Sequence, residues 1–293
     1  MHSNRSVSVI IPTLNAEENI ANLIQSIRQQ TVSPIELIIA DSSSDDNTCE
    51  ICSQFDDVSV FKISRGDFNH GTTRDYYLRQ SKGEYILFMT QDALPVDNKL
   101  IERLLSCFDN EQVAAAFARQ LPNHDATQAE RIVRGFNYPG NSYTRSLCDL
   151  QKYGIKTYFL SDVCAMYNRE IYLSVGGFEH GVKTNEDMFF SAAALKKGYL
   201  TAYCAEAAVY HSHNLSLKEQ FDRNYIQGFE IERHKELLGS VAEISEGTKL
   251  AVAVSKQLLE KGRFMQWIRF CMDACMRFVG NKLGKRAAKR MNK

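Results

Sequence analysis

Short apolar runs rich in β-branched residues alternate with stretches of helical spacing through the first half of the chain. "VSVIIP" (7–12) predicts a strand closed by proline. From Glu17 to Gln30, apolar Ile20, Leu23, Ile24 and Ile27 recur at helical intervals. "IELIIAD" (35–41) predicts a second strand, Asp46 to Phe55 a short helix, and "VSVFKIS" (58–64) a third strand. Gly71 to Ser81 predicts a helix, "EYILFMT" (84–90) a fourth strand, Asp97 to Phe108 a helix, and "VAAAFA" (113–118) a fifth strand. Strand and helix alternating over short links predict an α/β fold, a parallel sheet covered on both faces. In such sheets ligands bind beyond the carboxyl ends of the strands.

Those ends are polar. The first strand runs into Pro12-Thr13-Leu14-Asn15, with Glu17 close behind. The second ends on Asp41-Ser42-Ser43-Ser44 and the fourth on Thr90-Gln91-Asp92. Each alone reads equally well as a turn or a helix cap; Ser44 or Asp45 is placed to cap the helix from Asp46. Three together point to one crevice. Residues 122–157, with "NYPGNSYTRSL", show no clear period and read as a long mobile or acceptor-facing segment. From residue 216 onward the spacing turns helical, over 216–238, 246–261 and 263–290.

A chain of 293 residues with 44% hydrophobic and 24% charged residues has enough material for a sizeable core. No apolar run reaches the roughly 18 residues that a membrane span needs. Met1 to Arg5 leads straight into a strand without the apolar core of a leader peptide. These features, with eight scattered cysteines, several in apolar runs (Cys164, Cys204, Cys271), point to a cytoplasmic chain with reduced core thiols. Cys49 and Cys52 form a lone C-x-x-C with no second pair, so two positions on one helix is the better reading than a metal or redox centre.

The net charge is zero but unevenly spread. Arg263 to Lys293 holds nine Lys and Arg against one acid, Asp273; this segment therefore carries +8 and the remainder −8. Phe264, Trp267, Ile268, Cys271, Cys275 and Phe278 interleave with these cations. Two readings stand: an interfacial helix on anionic lipid at the inner face of the cell membrane, or a helix packed on the main domain or on a second copy in a homo-oligomer. No base-reading motif accompanies the basic run, so nucleic acid is not an expected partner.

Five motifs in order, "VSVIIPTLNAEENI", "IELIIADSSSDDNT", "GTTRDYYLRQSKGEYILFMTQDALP", "GGF" (176–178) and "NED" (185–187), resemble glycosyltransferase family 2. The resemblance covers about residues 6–215, and "DFNHGTTRD" with "TQDALP" looks most like the bacterial rhamnosyltransferase branch. It implies the GT-A fold, a Rossmann-like, mostly parallel sheet flanked by helices, in residues 1–215, with a C-terminal helical extension in 216–293. It also implies an inverting, metal-dependent transfer of a sugar to a glycan or polyprenyl-linked acceptor in surface polysaccharide synthesis. The donor would be a nucleotide-diphosphate sugar, dTDP-L-rhamnose in that branch, a UDP-hexose elsewhere in the family.

The resemblance implies a role for particular residues. Pro12, Thr13, Asn15 and Glu17 would line the nucleotide pocket, and Asp41 would accept a hydrogen bond from the base, as a carboxylate suits the imide N–H of uracil or thymine. Arg74 would face the diphosphate; the alternative is an arginine on the helix surface. Asp92 matches the last aspartate of the family's Asp-x-Asp metal motif, with Thr90 standing where the first aspartate is usual. Mn2+ or Mg2+ would then lean on Asp92, on phosphate oxygens and on His211 or His213 of "VYHSHNLS". Asp187 would be the base that takes the acceptor proton, and Glu186 would orient donor or acceptor. Tyr138, Tyr143 and Arg145 are candidates to contact sugar or a lipid diphosphate. Two rival readings remain: a binding module without catalysis, in which Thr90 marks a lost metal site, and a nucleotidyltransferase, disfavoured because "PTLNAEEN" is acidic and lacks glycine.

Overall fold

Every residue of β1 (Val7–Thr13) is buried, as in a strand covered on both faces. The computed structural model describes residues 5–213, 215–239 and 244–291. After β1 come α1 (Ile20–Arg28), β2 (Glu36–Asp41), α2 (Thr48–Ser53), β3 (Val58–Lys62), α3 (His70–Gln80) and β4 (Tyr85–Met89). Then follow β5 (Leu94–Pro95), α4 (Leu100–Ser106), β6 (Val113–Leu121), α5 (Gln128–Asn137), β7 (Tyr143–Arg145), α6 (Leu150–Tyr153) and β8 (Cys164–Asn168). The chain closes with α7 (Arg169–Val175), α8 (Glu186–Lys196), β9 (Leu200–Tyr210), α9 (Leu217–Arg233), α10 (Lys235–Leu238), α11 (Ile244–Glu260) and α12 (Phe264–Met291).

Alternate side chains of the strands feed two cores. Val9, Ile11 and Ile39 join Leu23 and Ile24 of α1 and Leu104 of α4 on one face. Ile10, Ile38 and Phe88 meet Leu78 of α3, Tyr172 of α7 and Phe190 of α8 on the other.

The sheet order is β3-β2-β1-β4-β8-β6-β9-β5, with β7 also on β9. β1 pairs in parallel with both β2 and β4, and β2 with β3. The sheet is mostly parallel, as expected, with three strands reversed. β8 runs antiparallel to β4 and to β6, and β5 and β7 antiparallel to β9. A reversed strand needs no helical crossover, so it can be laid between two strands already in place. The reversal matters for chemistry. It brings the start of β8 to the same edge as the carboxyl ends of β1, β2, β4, β6 and β9.

Residues 122–157 are structured, in contrast to the long loop read from the sequence. Thr127 caps α5 by accepting from Glu130 N, and Ile132 and Val133 pack on Val254, Leu258 and Phe270 of α11 and α12. The loop after β2 differs too. The helix starts at Thr48, and Ser44 is committed to Asp41 instead of capping it. Cys164 and Cys204 are buried but Cys271 is exposed, and no cysteine among the described residues is bridged.

Helices α9 and α12 lie side by side in the same direction. A Cβ on Gly280 would sit 2.5 Å from Phe221 O, and one on Gly284 2.0 Å from Tyr225 O. Only glycine permits this backbone approach. Lys289 reaches Glu232 in the same register at 3.7 Å. Since Gly280 lies sixteen residues into α12 and Phe221 four into α9, α12 overhangs the start of α9 by about 18 Å at 1.5 Å per residue.

Candidate active site

The edge where β1, β2 and β4 end is knitted together by short polar bonds. Gln91 accepts from Leu14 N at 2.7 Å and donates to Leu14 O at 3.0 Å, which ties the end of β4 to that of β1. Asn15, at φ 51°, donates its N–H to Ser44 Oγ and accepts from Asp45 N at 2.9 Å. Glu17 accepts two bonds from Asn47, at 3.0 and 2.9 Å. Asn15, Glu17, Glu18, Asp45 and Asp46 line an open cleft of about 350 Å³. Pro12 and Thr13 are buried behind it.

Asp41 is fully buried and accepts from Thr13 Oγ1, Ser44 N and Ser44 Oγ. Burial pushes its carboxyl up, but the bonds from Ser44, Cys49 and Thr13 outweigh that and hold it below the usual value. It is therefore an ionised acceptor whose surroundings are set before any ligand arrives.

Asp92, His211 and His213 converge. One ligand atom from each lies within 4.8 Å of the others. Asp92 Oδ2 is 3.5 Å from His211 Nε2 and 3.4 Å from His213 Nε2. Both histidines join the group, where the sequence left one to be chosen. Thr90 Oγ1 is buried beside Asp92 in the chain, with no hydrogen-bond partner among the described residues.

The sequence reading missed Gln120, at the end of β6, which orients His211. Its Oε1 receives a guanidinium hydrogen from Arg134, so it is an acceptor, and its Nε2 donates to Ser161 Oγ at 2.8 Å. His211 Nδ1, 3.1 Å from that Oε1, must then carry the hydrogen. This leaves the Nε2 lone pair aimed at the Asp92 side. Burial pushes the His211 imidazolium down to about 3, so the ring is neutral. One carboxylate oxygen and two imidazole nitrogens, one of them fixed and neutral, fit a divalent cation.

A second group lies at the start of β8 and of α8. Arg74 is 3% exposed, and its Nη1 lies 2.9 Å from Glu186 and 3.7 Å from Asp162. Both expectations for Arg74 are thus corrected: neither an open diphosphate position nor a solvated helix face receives it. Its charge is taken up inside by two carboxylates, because a buried guanidinium needs partners. Gly71 makes room, since a Cβ there would stand 3.1 Å from Glu186 Cβ. Glu186, expected to orient substrate, holds Arg74 instead.

Asp187, next along α8, accepts from Asp162 N at 3.2 Å and Met188 N at 2.7 Å. Burial and the neighbouring carboxyls of Asp162 and Glu186 push it well above the usual carboxylate range. Asp162 receives Tyr167 Oη at 2.5 Å and is itself pushed up to about 7, first by burial and then by Glu186, against the pull of Arg74 and Tyr167. No sequence signal marked Asp162; it lies in a stretch without period and reaches the site through the reversed strand.

The raised Asp162 value has a consequence for stability. Unfolded, the group titrates near 3.8; folded, near 7. The folded chain holds a proton that the unfolded chain lacks in that window, so this stabilisation is complete below the lower value and is lost as pH rises through the upper one. Urea midpoints are expected to fall between about pH 4 and 7, by an amount of order 4 kcal/mol for this group. Asp162→Asn is expected to flatten that slope. An equal slope in the variant would place the titrating proton elsewhere.

Tyr138, a candidate sugar contact, is instead 5% exposed and packs on Phe159 and Tyr203. Tyr143 and Arg145 do line an open pocket of about 210 Å³, with Phe136, Tyr153, Lys156 and Phe159. The Arg145 guanidinium lies 4.0 Å from the Tyr143 ring centre and 3.7 Å from that of Tyr153.

A sequence model described as "Glycosyl transferase family 2" matches residues 8–176. The chain is 37% identical over 287 residues to the O-antigen chain rhamnosyltransferase RfbN of Salmonella typhimurium, covering 95% of this chain and 89% of that protein. It is 36% identical to the O-antigen chain rhamnosyltransferase WbaN of Salmonella anatum, covering 96% and 89%. Among solved structures it is similar to the mannosyltransferase PcManGT from Pyrobaculum calidifontis in complex with GDP-Man and Mn2+. That match has a TM-score of 0.66 and 14% identity, over 96% of this chain and 88% of that one. Staphylococcus aureus TarS 1–349 in complex with UDP-GlcNAc matches at TM-score 0.56 and 16% identity, over 97% and 92%. No helix of the described residues is long and apolar enough to cross a membrane.

Proposed function

The chain belongs to glycosyltransferase family 2 and is a glycosyltransferase of the GT-A fold, and from that premise we propose that it moves L-rhamnose from dTDP-L-rhamnose onto a growing, lipid-linked glycan of a bacterial surface polysaccharide. The observation that carries the transfer is the meeting on one sheet edge of two groups: Asp92 with His211 and His213, and Asp187 with Asp162. The rhamnosyl donor is supported by the likeness to two O-antigen rhamnosyltransferases along nearly the whole chain.

Each group has its own task. Asn15, Glu17 and the carboxylates beside them suit ribose hydroxyls, while Asp41, expected to meet the base, is fully buried and instead fixes the loop behind them through Thr13 and Ser44. Asp92, His211 and His213 would hold Mn2+ or Mg2+, which when bound neutralises charge gathering on the departing nucleotide diphosphate. Asp187 takes the proton from the acceptor hydroxyl as that oxygen attacks the anomeric carbon from the face opposite the leaving group, with inversion. A carboxylate crowded by two others and held out of water binds that proton more avidly than a solvated one. Arg74 keeps the crowding tolerable, and Glu186 keeps Arg74 in place. Tyr143 and Arg145, with the rings beside them, suit the acceptor glycan.

A panel of nucleotide sugars tested by thermal shift with Mn2+ checks the donor. The shift from dTDP-L-rhamnose is expected to exceed that from UDP-glucose, UDP-GlcNAc or GDP-mannose, since a ligand bound to the folded state raises stability with its affinity. A larger response to a UDP-hexose would overturn the rhamnosyl assignment.

A further inference from the structure

Helix α12 is apolar on two opposite sides. Phe270, Gly280, Gly284 and Ala288 face inward and are buried. Phe264, Ile268, Met272 and Val279, four or seven residues apart, share one stripe pointing outward with the exposed Cys275 between them and Phe278 at its edge. Phe264 and Phe278 are 57% and 60% exposed. The same outer face then becomes basic, with Lys282, Arg286 and Arg290 exposed over the last turns. The helix's one acid, Asp273, lies on the inward side and is half-buried, so no carboxylate of α12 is on the outer face. A contiguous apolar stripe left in water needs an occupant.

We propose that this face docks on an anionic lipid bilayer, with Phe264 to Val279 entering the headgroup boundary and the cations lying on lipid phosphates. The charge pattern decides between a membrane and a second copy of the chain. Laid on itself in parallel, the face sets cation against cation. Laid antiparallel, it buries the cations of each copy on the apolar half of the other. Neither arrangement pairs a charge, whereas an anionic surface satisfies both halves at once. The placement agrees. The apolar half of α12 is the part that overhangs the start of α9, and Ser216, which caps α9, lies three residues after His213. The stripe thus runs beside the catalytic end of the molecule.

Flotation of the full chain with phosphatidylcholine vesicles, with and without phosphatidylglycerol, at low and high salt, tests the assignment. Binding is expected only with phosphatidylglycerol and is expected to weaken with salt. Replacing Lys282, Arg286 and Arg290 together with Gln is expected to lower partitioning roughly a hundredfold, at about 1 kcal/mol per cation. Ile268→Ser with Phe278→Ser is expected to lower it at least about tenfold. These side chains are exposed and outside the site, so the thermal shift with nucleotide sugar should not change in either variant, which separates loss of docking from loss of fold or of donor binding. Absence of binding to phosphatidylglycerol vesicles, or equal binding by both variants, would overturn the proposal. So would a wild-type dimer in sedimentation that the Phe278→Ser chain no longer forms.

Discussion

Asp187→Asn is expected to lower turnover roughly a thousandfold, within the range of a lost general base, while the thermal shift given by nucleotide sugar and metal stays near that of the wild type. The reason lies in what the substitution changes. Asn keeps the size of the side chain and an oxygen for Met188 N, but it cannot accept a proton. It also removes one carboxylate from a buried group that contains Asp162 and Glu186 with one cation, Arg74. The variant should therefore be at least as stable as the wild type near neutral pH, because the charge that burial opposes is gone. Loss of turnover with unchanged or raised stability is a combination that a folding defect does not produce. If turnover survives, the proton goes elsewhere, and Asp162, whose backbone N–H meets Asp187 at 3.2 Å, is the next carboxylate to test. A Glu186→Gln chain should behave differently. It takes the charge from the nearest partner of the buried Arg74 guanidinium and should cost stability first.

Removal of divalent metal with EDTA is expected to reduce transfer to background, a fall of at least about a thousandfold, since several kcal/mol of charge stabilisation at the diphosphate is lost. Added Mn2+ should restore the rate at lower concentration than Mg2+, because two of the three candidate donors are imidazole nitrogens. Gln120→Ala should raise the metal concentration needed for half-maximal rate by about tenfold to a hundredfold without touching a ligand. It lets the His211 ring choose the other tautomer, and partners behind a ligand act on affinity in that range. A rate that persists after exhaustive chelation would remove Asp92 and both histidines from the reaction and return Thr90 to the reading of a lost site.

The sequence showed what is local. Five strands and the polar ends of three of them stand out because each is a pattern within a dozen neighbouring residues. The acids at the start of α8 and the two histidines after β9 came through the family resemblance, which left one histidine to be chosen. What was hidden depends on partners far along the chain. Arg74 reads as a surface cation or a phosphate ligand until Glu186, 112 residues away, is seen beside it. Gln120 is one polar residue near the end of an apolar strand, and its meaning comes only from His211, 91 residues on. Asp162 follows no period and enters the site because β8 runs backwards between β4 and β6. Cys271 looked like core because its neighbours in sequence are apolar; the stripe it belongs to points out. The loops after β1 and β2 were placed correctly, but bonds between them use up side chains, such as Ser44, that local spacing assigns to helix caps.

The contact of Gly280 and Gly284 with the backbone of α9 has a mechanical meaning. Backbone lying against backbone leaves no flexible side chain between the two helices to act as a cushion, so α9 and α12 form one stiff beam. Its root is the capping box at Ser216 and Glu219, just past the two histidines. On the docking proposed for α12, helix length then sets where along the surface the catalytic edge stands. Lengthening α9 by one turn would slide α12 by about 5.4 Å, more than the width of the gap across which a hydroxyl must approach an anomeric carbon. Under the proposed docking, the beam works as a jig that holds the reacting edge at a fixed place beside the lipid surface.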